Sequence, residues 1–75
     1  MQPYANAGGN SAVTAYELGD ESITVAFKGG ATYLYTYQSA GSHHIEQMRS
    51  LAQAGQGLGT YINKNVRKSY ASKLA

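Results

Sequence analysis

Ser22-Ile23-Thr24-Val25-Ala26-Phe27-Lys28-Gly29-Gly30-Ala31-Thr32-Tyr33-Leu34-Tyr35-Thr36-Tyr37 is the stretch from which the fold is read. From Ser22 to Lys28 the residues alternate, with Ile23, Val25 and Phe27 on one face and Thr24 and Ala26 on the other. That is the two-residue period of a strand with one buried side. Gly29-Gly30 reverses the chain, and Ala31 to Gln38 forms a return strand carrying Tyr33, Tyr35 and Tyr37. A two-residue Gly-Gly loop would set Leu34 beside Val25 and send the tyrosines to the opposite face. A three-residue loop centred on Gly30 would pair Phe27 with Tyr33 and Val25 with Tyr35, because one residue of slip flips every side chain. The other core candidates are Val13, Ile23, Val25, Phe27, Leu34, Ile45, Met48, Leu51, Leu58, Ile62 and Val66, few for 75 residues. The register that at least partly buries the rings of Tyr33 and Tyr35 is therefore preferred, with Tyr37 at the strand end the most exposed.

Upstream of the hairpin, Ser11 to Tyr16 reads as a short strand and Leu18-Gly19-Asp20-Glu21 as the turn after it, completing a three-stranded antiparallel meander. Residues 1–10, rich in Gly, Asn and Ala and without periodicity, read as a flexible tail, leaving residues 11–75 as a single domain. Downstream the period becomes helical. Ile45, Met48, Leu51 and Ala52 recur at three- and four-residue spacing after Ser42 as N-cap, and Ala54 to Gly59 ends that helix. A second helix is expected from about Thr60 to Tyr70. Turning about 100° per residue, it places Leu58, Ile62, Val66 and Ser69 on one stripe. Lys64, Arg67 and Lys68 then lie on the opposite side, with Asn63 and Tyr70 beside Arg67. The expected fold is α+β, a three-stranded antiparallel meander followed by two helices packed on one sheet face.

Composition limits the chemistry. The chain has no cysteine, so neither disulfides nor a thiolate metal site support its small core. No apolar stretch approaches signal-peptide or membrane-span length, and Met1-Gln2-Pro3-Tyr4 is polar, which reads as a cytoplasmic protein without a membrane partner. The net charge of +2 conceals an asymmetry. Residues 1–48 hold four acids and one base, a balance of −3, whereas residues 49–75 hold five bases and no acid, a balance of +5. A one-signed patch steers ions of the opposite sign, so the late segment is where a partner is sought.

The closing run Gly59-Thr60-Tyr61-Ile62-Asn63-Lys64-Asn65-Val66-Arg67-Lys68-Ser69-Tyr70, together with Tyr33-x-Tyr35, resembles the KTSC domain. That family is named for its occurrence at the C-terminus of some lysyl-tRNA synthetases and is also found as short stand-alone proteins. Phe27, Gly30, Tyr33, Tyr35, Gly59, Tyr61, Asn63, Val66, Arg67 and Tyr70 fall where its pattern wants them, across residues 11–70. Gln38-Ser39-Ala40 and Gly55-Gln56-Gly57 stand where the family often has a Val-Pro turn and a Ser. The resemblance implies the fold, and the synthetase context implies RNA as a partner.

Five groupings bear on function. Lys64, Arg67 and Lys68, with Lys73 beyond, are spaced to meet phosphates, each contact releasing a counterion, and Tyr61 at the edge of the helix could stack a base. The plainer account is a solvated helix face whose cations favour the C-terminal dipole. Asn63, Arg67 and Tyr70 could grip a phosphate or carboxylate, or Asn63 and Arg67 could instead bond backbone carbonyls. The loop Gly55-Gln56-Gly57-Leu58-Gly59 could cradle an anion, although a helix cap plus a tight turn accounts for it more simply. Tyr33, Tyr35 and Tyr37 as a stacking platform compete with their use as core. Adjacent His43 and His44 point about 100° apart on a helix and form no metal pair, so neither metal nor cofactor is expected. No nucleophile, base and orienting group assemble, which argues against catalysis. Two readings follow: a non-enzymatic RNA- or nucleic-acid-binding module using Lys64, Arg67, Lys68, Tyr61, Asn63 and Lys73, or a protein-interaction module using an apolar patch around Tyr61, Tyr70 and Leu74.

Overall fold

The computed structural model describes residues 1–7, 9 and 11–75. Among these residues five antiparallel strands lie side by side in chain order: β1 (Gln2–Pro3), β2 (Val13–Gly19), β3 (Ser22–Phe27), β4 (Thr32–Thr36) and β5 (Ser72–Lys73). Between β4 and β5 come α1 (Tyr37–Ala40), α2 (Ser42–Ala54) and α3 (Leu58–Tyr61), the last widening into a π-helical stretch over Ile62–Val66. The chain is α+β with helices on an antiparallel sheet, as expected. The expected meander is its centre, flanked by an extra strand on each side, and three helices stand among the described residues where two are expected, the short α1 being the addition.

The β3–β4 register settles the choice posed by the glycine loop. Val25 lies opposite Tyr33 and Ile23 opposite Tyr35, while the Phe27 amide donates to the Ala31 carbonyl at 2.7 Å. Lys28, Gly29 and Gly30 are thus the loop residues, with both glycines at positive φ, near 90° and 97°. Neither expected pairing occurs, because the loop is centred on Gly29 rather than Gly30. The face is nevertheless the preferred one, since a shift of two residues preserves the alternation. Tyr35 is sealed and Tyr33 half-buried, whereas Leu34 turns to the other side opposite Thr24.

Strand β2 buries both Val13 and Tyr16, an odd spacing that a regular strand cannot place on one face. A bulge resolves it: Val13 pairs with Phe27 and Ala15 with Ala26, leaving Thr14 as the extra residue. Tyr16 then joins Val25, and its hydroxyl donates to Gln2 Oε1 at 3.0 Å. The described part of residues 1–10 departs from the expected tail. Gln2 and Pro3 pair with Tyr16 and Ala15, the Tyr4 amide donates to the Thr14 carbonyl, and the Tyr4 ring is buried. The part of that expectation concerning Gly8 and Asn10 lies outside the described residues.

Strand β4 stops at Thr36, two residues short of the expected end. There Thr36 Oγ1 accepts from the Ser39 amide and Ser39 Oγ accepts from the Thr36 amide, a reciprocal cap that starts α1. Gly41, not Ser42, is the N-cap of α2. Helix α2 buries Ile45, Met48 and Ala52 on the sheet and closes on Gly55 at φ 79°, whose amide donates to the Leu51 and Ala52 carbonyls. The Ala7 amide donates to the Gly55 carbonyl, so the N-terminal segment is clamped against the end of this helix.

The last helix is shorter than expected. Its regular part ends at Val66, and residues 69–75 run back along β4 instead of continuing helically. The Ala71 amide donates to the Leu34 carbonyl and the Leu74 amide to the Thr32 carbonyl, both at 2.7 Å. Leu58, Ile62 and Val66 are all buried. Residues four apart drift by roughly 40° per step on an ideal α-helix. The wider i→i+5 turn offsets that drift and keeps the stripe in the core.

Candidate functional site

Asn63–Arg67 and Lys64–Lys68 repeat the four-residue spacing of the buried Ile62–Val66 pair, one and two positions further along. The widened turn that aligns the stripe therefore also aligns these polar pairs beside it, and all four side chains are exposed. The side-chain hydrogen bonds from this helix belong to its neighbours: Asn65 Nδ2 donates to the Tyr61 carbonyl, and the Tyr61 hydroxyl shares a 2.6 Å hydrogen bond with His44 Nδ1. The structural role considered for Asn63 and Arg67, bonding backbone carbonyls, is not one the described residues display. The two ion pairs among the described residues are Met1 amine with Glu17 and Arg49 with Glu46. Lys64, Arg67, Lys68 and Lys73 belong to neither.

Arg49 is the exception among the late cations. Its guanidinium donates to the Gly19 carbonyl at 2.6 Å and the Ser22 carbonyl at 3.2 Å, pinning α2 to the β2–β3 turn. It sits with the acids, since Asp20 and Glu21 occupy that turn and Glu46 lies one turn before it on α2. Tyr37 is there as well; its hydroxyl donates to Glu46, and that bond is the first cause raising its pKa. The acidic end of the sheet is where Ser22 faces Thr36. The opposite end, where Ala26 faces Thr32, carries Lys28 in the turn and receives Lys73 on β5.

Past the helix the chain places Tyr70 over the edge of the sheet. Its ring centroid lies 4.7 Å from that of Tyr33 and 6.4 Å from that of Tyr35, and Tyr33 in turn meets Phe27 edge-on at 5.8 Å. Lys73 pairs directly with Tyr33, so it projects from the same face at the sheet edge. Tyr35 is 1% exposed, and burial, then the neighbouring Tyr33 and Tyr70, pushes its hydroxyl up to about 12. Tyr70 is 39% exposed. Tyr61, expected to stack a base, is half-buried with its ring edge-on to His44 at 5.7 Å. The open aromatic of the segment is Tyr70. The helical spacing predicts a helix flank for it, and the signal that it lies elsewhere is that the buried stripe of the helix has its last aliphatic residue at Val66.

A cleft of about 410 Å³ opens between the N-terminal segment and the start of α3, lined among others by Tyr4, Asn6, Ser11, Phe27, Thr60 and Asn63. The glycine loop beside it is used internally: the Leu58 amide donates to the Tyr4 hydroxyl at 3.2 Å, and the Gly57 carbonyl accepts from the Tyr61 amide. Cap and packing account for that loop. Among the described residues no helix is long and apolar enough to cross a membrane. Compared with protein families, curated proteins and solved structures, the chain gives no significant match to any of them.

Proposed function

We propose that this chain is a small, cytoplasmic, non-enzymatic, KTSC-like module that binds RNA, or nucleic acid generally, through residues 63–73. The observation that carries the reading is that Lys64, Arg67, Lys68 and Lys73 are exposed and outside both ion pairs. Four cations held on one structured segment, without acids among them, are complementary to a polyanion. Asn63 stands beside Arg67 to hydrogen-bond a phosphate or sugar oxygen. Asp20 and Glu21 lie at the opposite end of the sheet from Lys73 and Lys28, Glu46 pairs with Arg49 on α2, and Glu17 pairs with the Met1 amine.

Titrating a labelled RNA with the protein at about 50 and 200 mM salt tests this. With four phosphates neutralised, affinity falls by roughly 50-fold across that range, from about 0.7 in logarithmic slope per phosphate on a single strand. No binding at low salt, or binding indifferent to salt, removes the proposal. One observation favours a second reading: Leu74 and Tyr70 are 54% and 39% exposed, apolar surface of the kind a protein partner covers. A salt-insensitive complex with another chain, or a dimer, would mark that case.

A further inference from the structure

We infer that the nucleic acid this segment takes is single-stranded, with an unpaired base stacking on Tyr70. The inference rests on the polyanion-binding reading above and adds the ligand class and the contact that selects it.

Four observations converge. Phe27, Tyr33 and Tyr70 form a run of rings at 5.8 and 4.7 Å, the last of which is open to solvent. The rings meet at interplanar angles of 71° and 46°, edge-on and tilted rather than stacked, and Tyr70 is left 39% exposed for a flat ring to pack on. A cover over Tyr33 and Tyr35 requires only an apolar side chain of the right size; an aromatic one adds a π-face. Tyr70 is also held rather than mobile at the backbone, because the Ser69 amide donates to the Val66 carbonyl and the Ala71 amide to the Leu34 carbonyl on either side of it. A ring already ordered loses little freedom when a base packs on it.

The charges complete the site. Arg67 and Lys68 precede Tyr70 by three and two residues, and Lys73 stands opposite Tyr33, the residue against which Tyr70 packs. Cations thus lie on both chain sides of the open ring, as a strand needs when its base is stacked and its flanking phosphates are to be met. A duplex presents its bases edge-on, with their faces covered by neighbouring pairs, and so offers Tyr70 nothing to stack. The short β5 edge and the single widened turn before it also offer no long helix for a groove.

The test compares two fluorescein-labelled RNAs of equal phosphate number, an oligouridine strand and a blunt hairpin duplex, in low salt. The wild-type protein binds the strand more tightly. Tyr70→Leu, which keeps an apolar cover over Tyr33 and Tyr35, weakens strand binding by at least about fivefold and leaves the hairpin affinity and the salt slope unchanged. Tyr70→Phe stays within about twofold of wild type, because the ring is retained. Tyr70→Trp adds an indole to a chain that has no tryptophan, and its fluorescence is quenched by the strand and not by the hairpin. Equal wild-type affinity for both RNAs, an unchanged strand affinity in Tyr70→Leu, or an unquenched indole in the bound state overturns the stacking inference while salt-dependent binding stands. Absence of binding to either RNA overturns both this inference and the reading it rests on.

Discussion

Tyr35 and Tyr70 touch, with ring centroids 6.4 Å apart, yet they belong to regions built on opposite terms. Tyr35 sits among Ile23, Val25, Ile45 and Met48, each at 1% exposure or less, where every side chain is accounted for by packing. Tyr70 belongs to the last nine residues, where Arg67, Lys68, Lys73 and Leu74 are exposed and the fold uses mainly the backbone, through the bonds to Thr32 and Leu34. The difference separates residues held by the fold from residues merely carried by it. Side chains in the first region answer to stability. Those in the second can be exchanged at little cost to the fold, so their charge and aromaticity are available for something else.

The largest effects are expected where packing is complete. Met48, fully buried on α2, should cost about 2–5 kcal/mol as Met48→Ala, a large fraction of the stability of a domain this size, read from denaturant unfolding. A loss below about 1 kcal/mol would mean that α2 is not sealed on the sheet, and the contrast with the C-terminal segment would fail. Next is Gly55→Ala. The position has φ 79°, and an added Cβ would lie 2.6 Å from the Ala5 Cβ. Backbone strain alone costs about 1–2 kcal/mol, before Ala5 is displaced. Unchanged stability would show that the N-terminal segment is not clamped as described.

The same contrast explains what could be read in the sequence. Ile23, Val25 and Phe27 announced the hairpin because burial of one face imposes a period of two, and Ile45, Met48 and Ala52 announced α2 because burial of one stripe imposes a helical one. Leu34 and Phe27 look alike as core in the sequence, since composition cannot tell which parity faces inward until the loop is placed. Strands β1 and β5 are silent in the sequence because their order comes from backbone pairing with β2 and β4, which leaves no hydrophobic period in Gln2-Pro3 or Ser72-Lys73. The burial of Tyr16 is hidden because a bulge at Thr14 rephases β2 and nothing local encodes it, and that of Tyr4 because it depends on the N-terminal segment pairing with β2 and meeting Leu58. In the candidate site, the exposure of Lys64, Arg67 and Lys68 follows from their distance from the aliphatic stripe. The exchange of Tyr61 for Tyr70 does not, because it depends on His44 reaching across from α2 and on where the helix ends.

Alkaline pH sharpens the comparison between the two tyrosines. The Tyr35 hydroxyl is raised from its ordinary 10 to about 12 by burial, so the folded protein holds that proton more tightly than the unfolded chain. Its contribution to stability is fully present below pH 10 and is lost as pH rises toward 12, because ionisation then favours the unfolded state. In Tyr35→Phe, stability measured by denaturant should decline less steeply across that window than in wild type. Equal slopes would mean that Tyr35 ionises as readily as a solvated phenol and that the sealed region is open to water.

The smallest expected effect on the fold is the most informative about the C-terminal segment. Lys64→Gln, Arg67→Gln and Lys68→Gln combined remove three charges that engage in neither ion pair, so unfolding free energy should stay within about 0.5 kcal/mol of wild type. If these cations meet phosphates, the same protein loses most of its RNA affinity at low salt, and its logarithmic salt slope drops by about 2, the share of three contacts on a single strand. The two measurements together decide between the accounts. A solvated face complementing the dipole of a short helix predicts a small stability loss and no change in binding. Unchanged stability with a flattened salt slope would assign these side chains to a polyanionic partner, because nothing inside the molecule would then account for them.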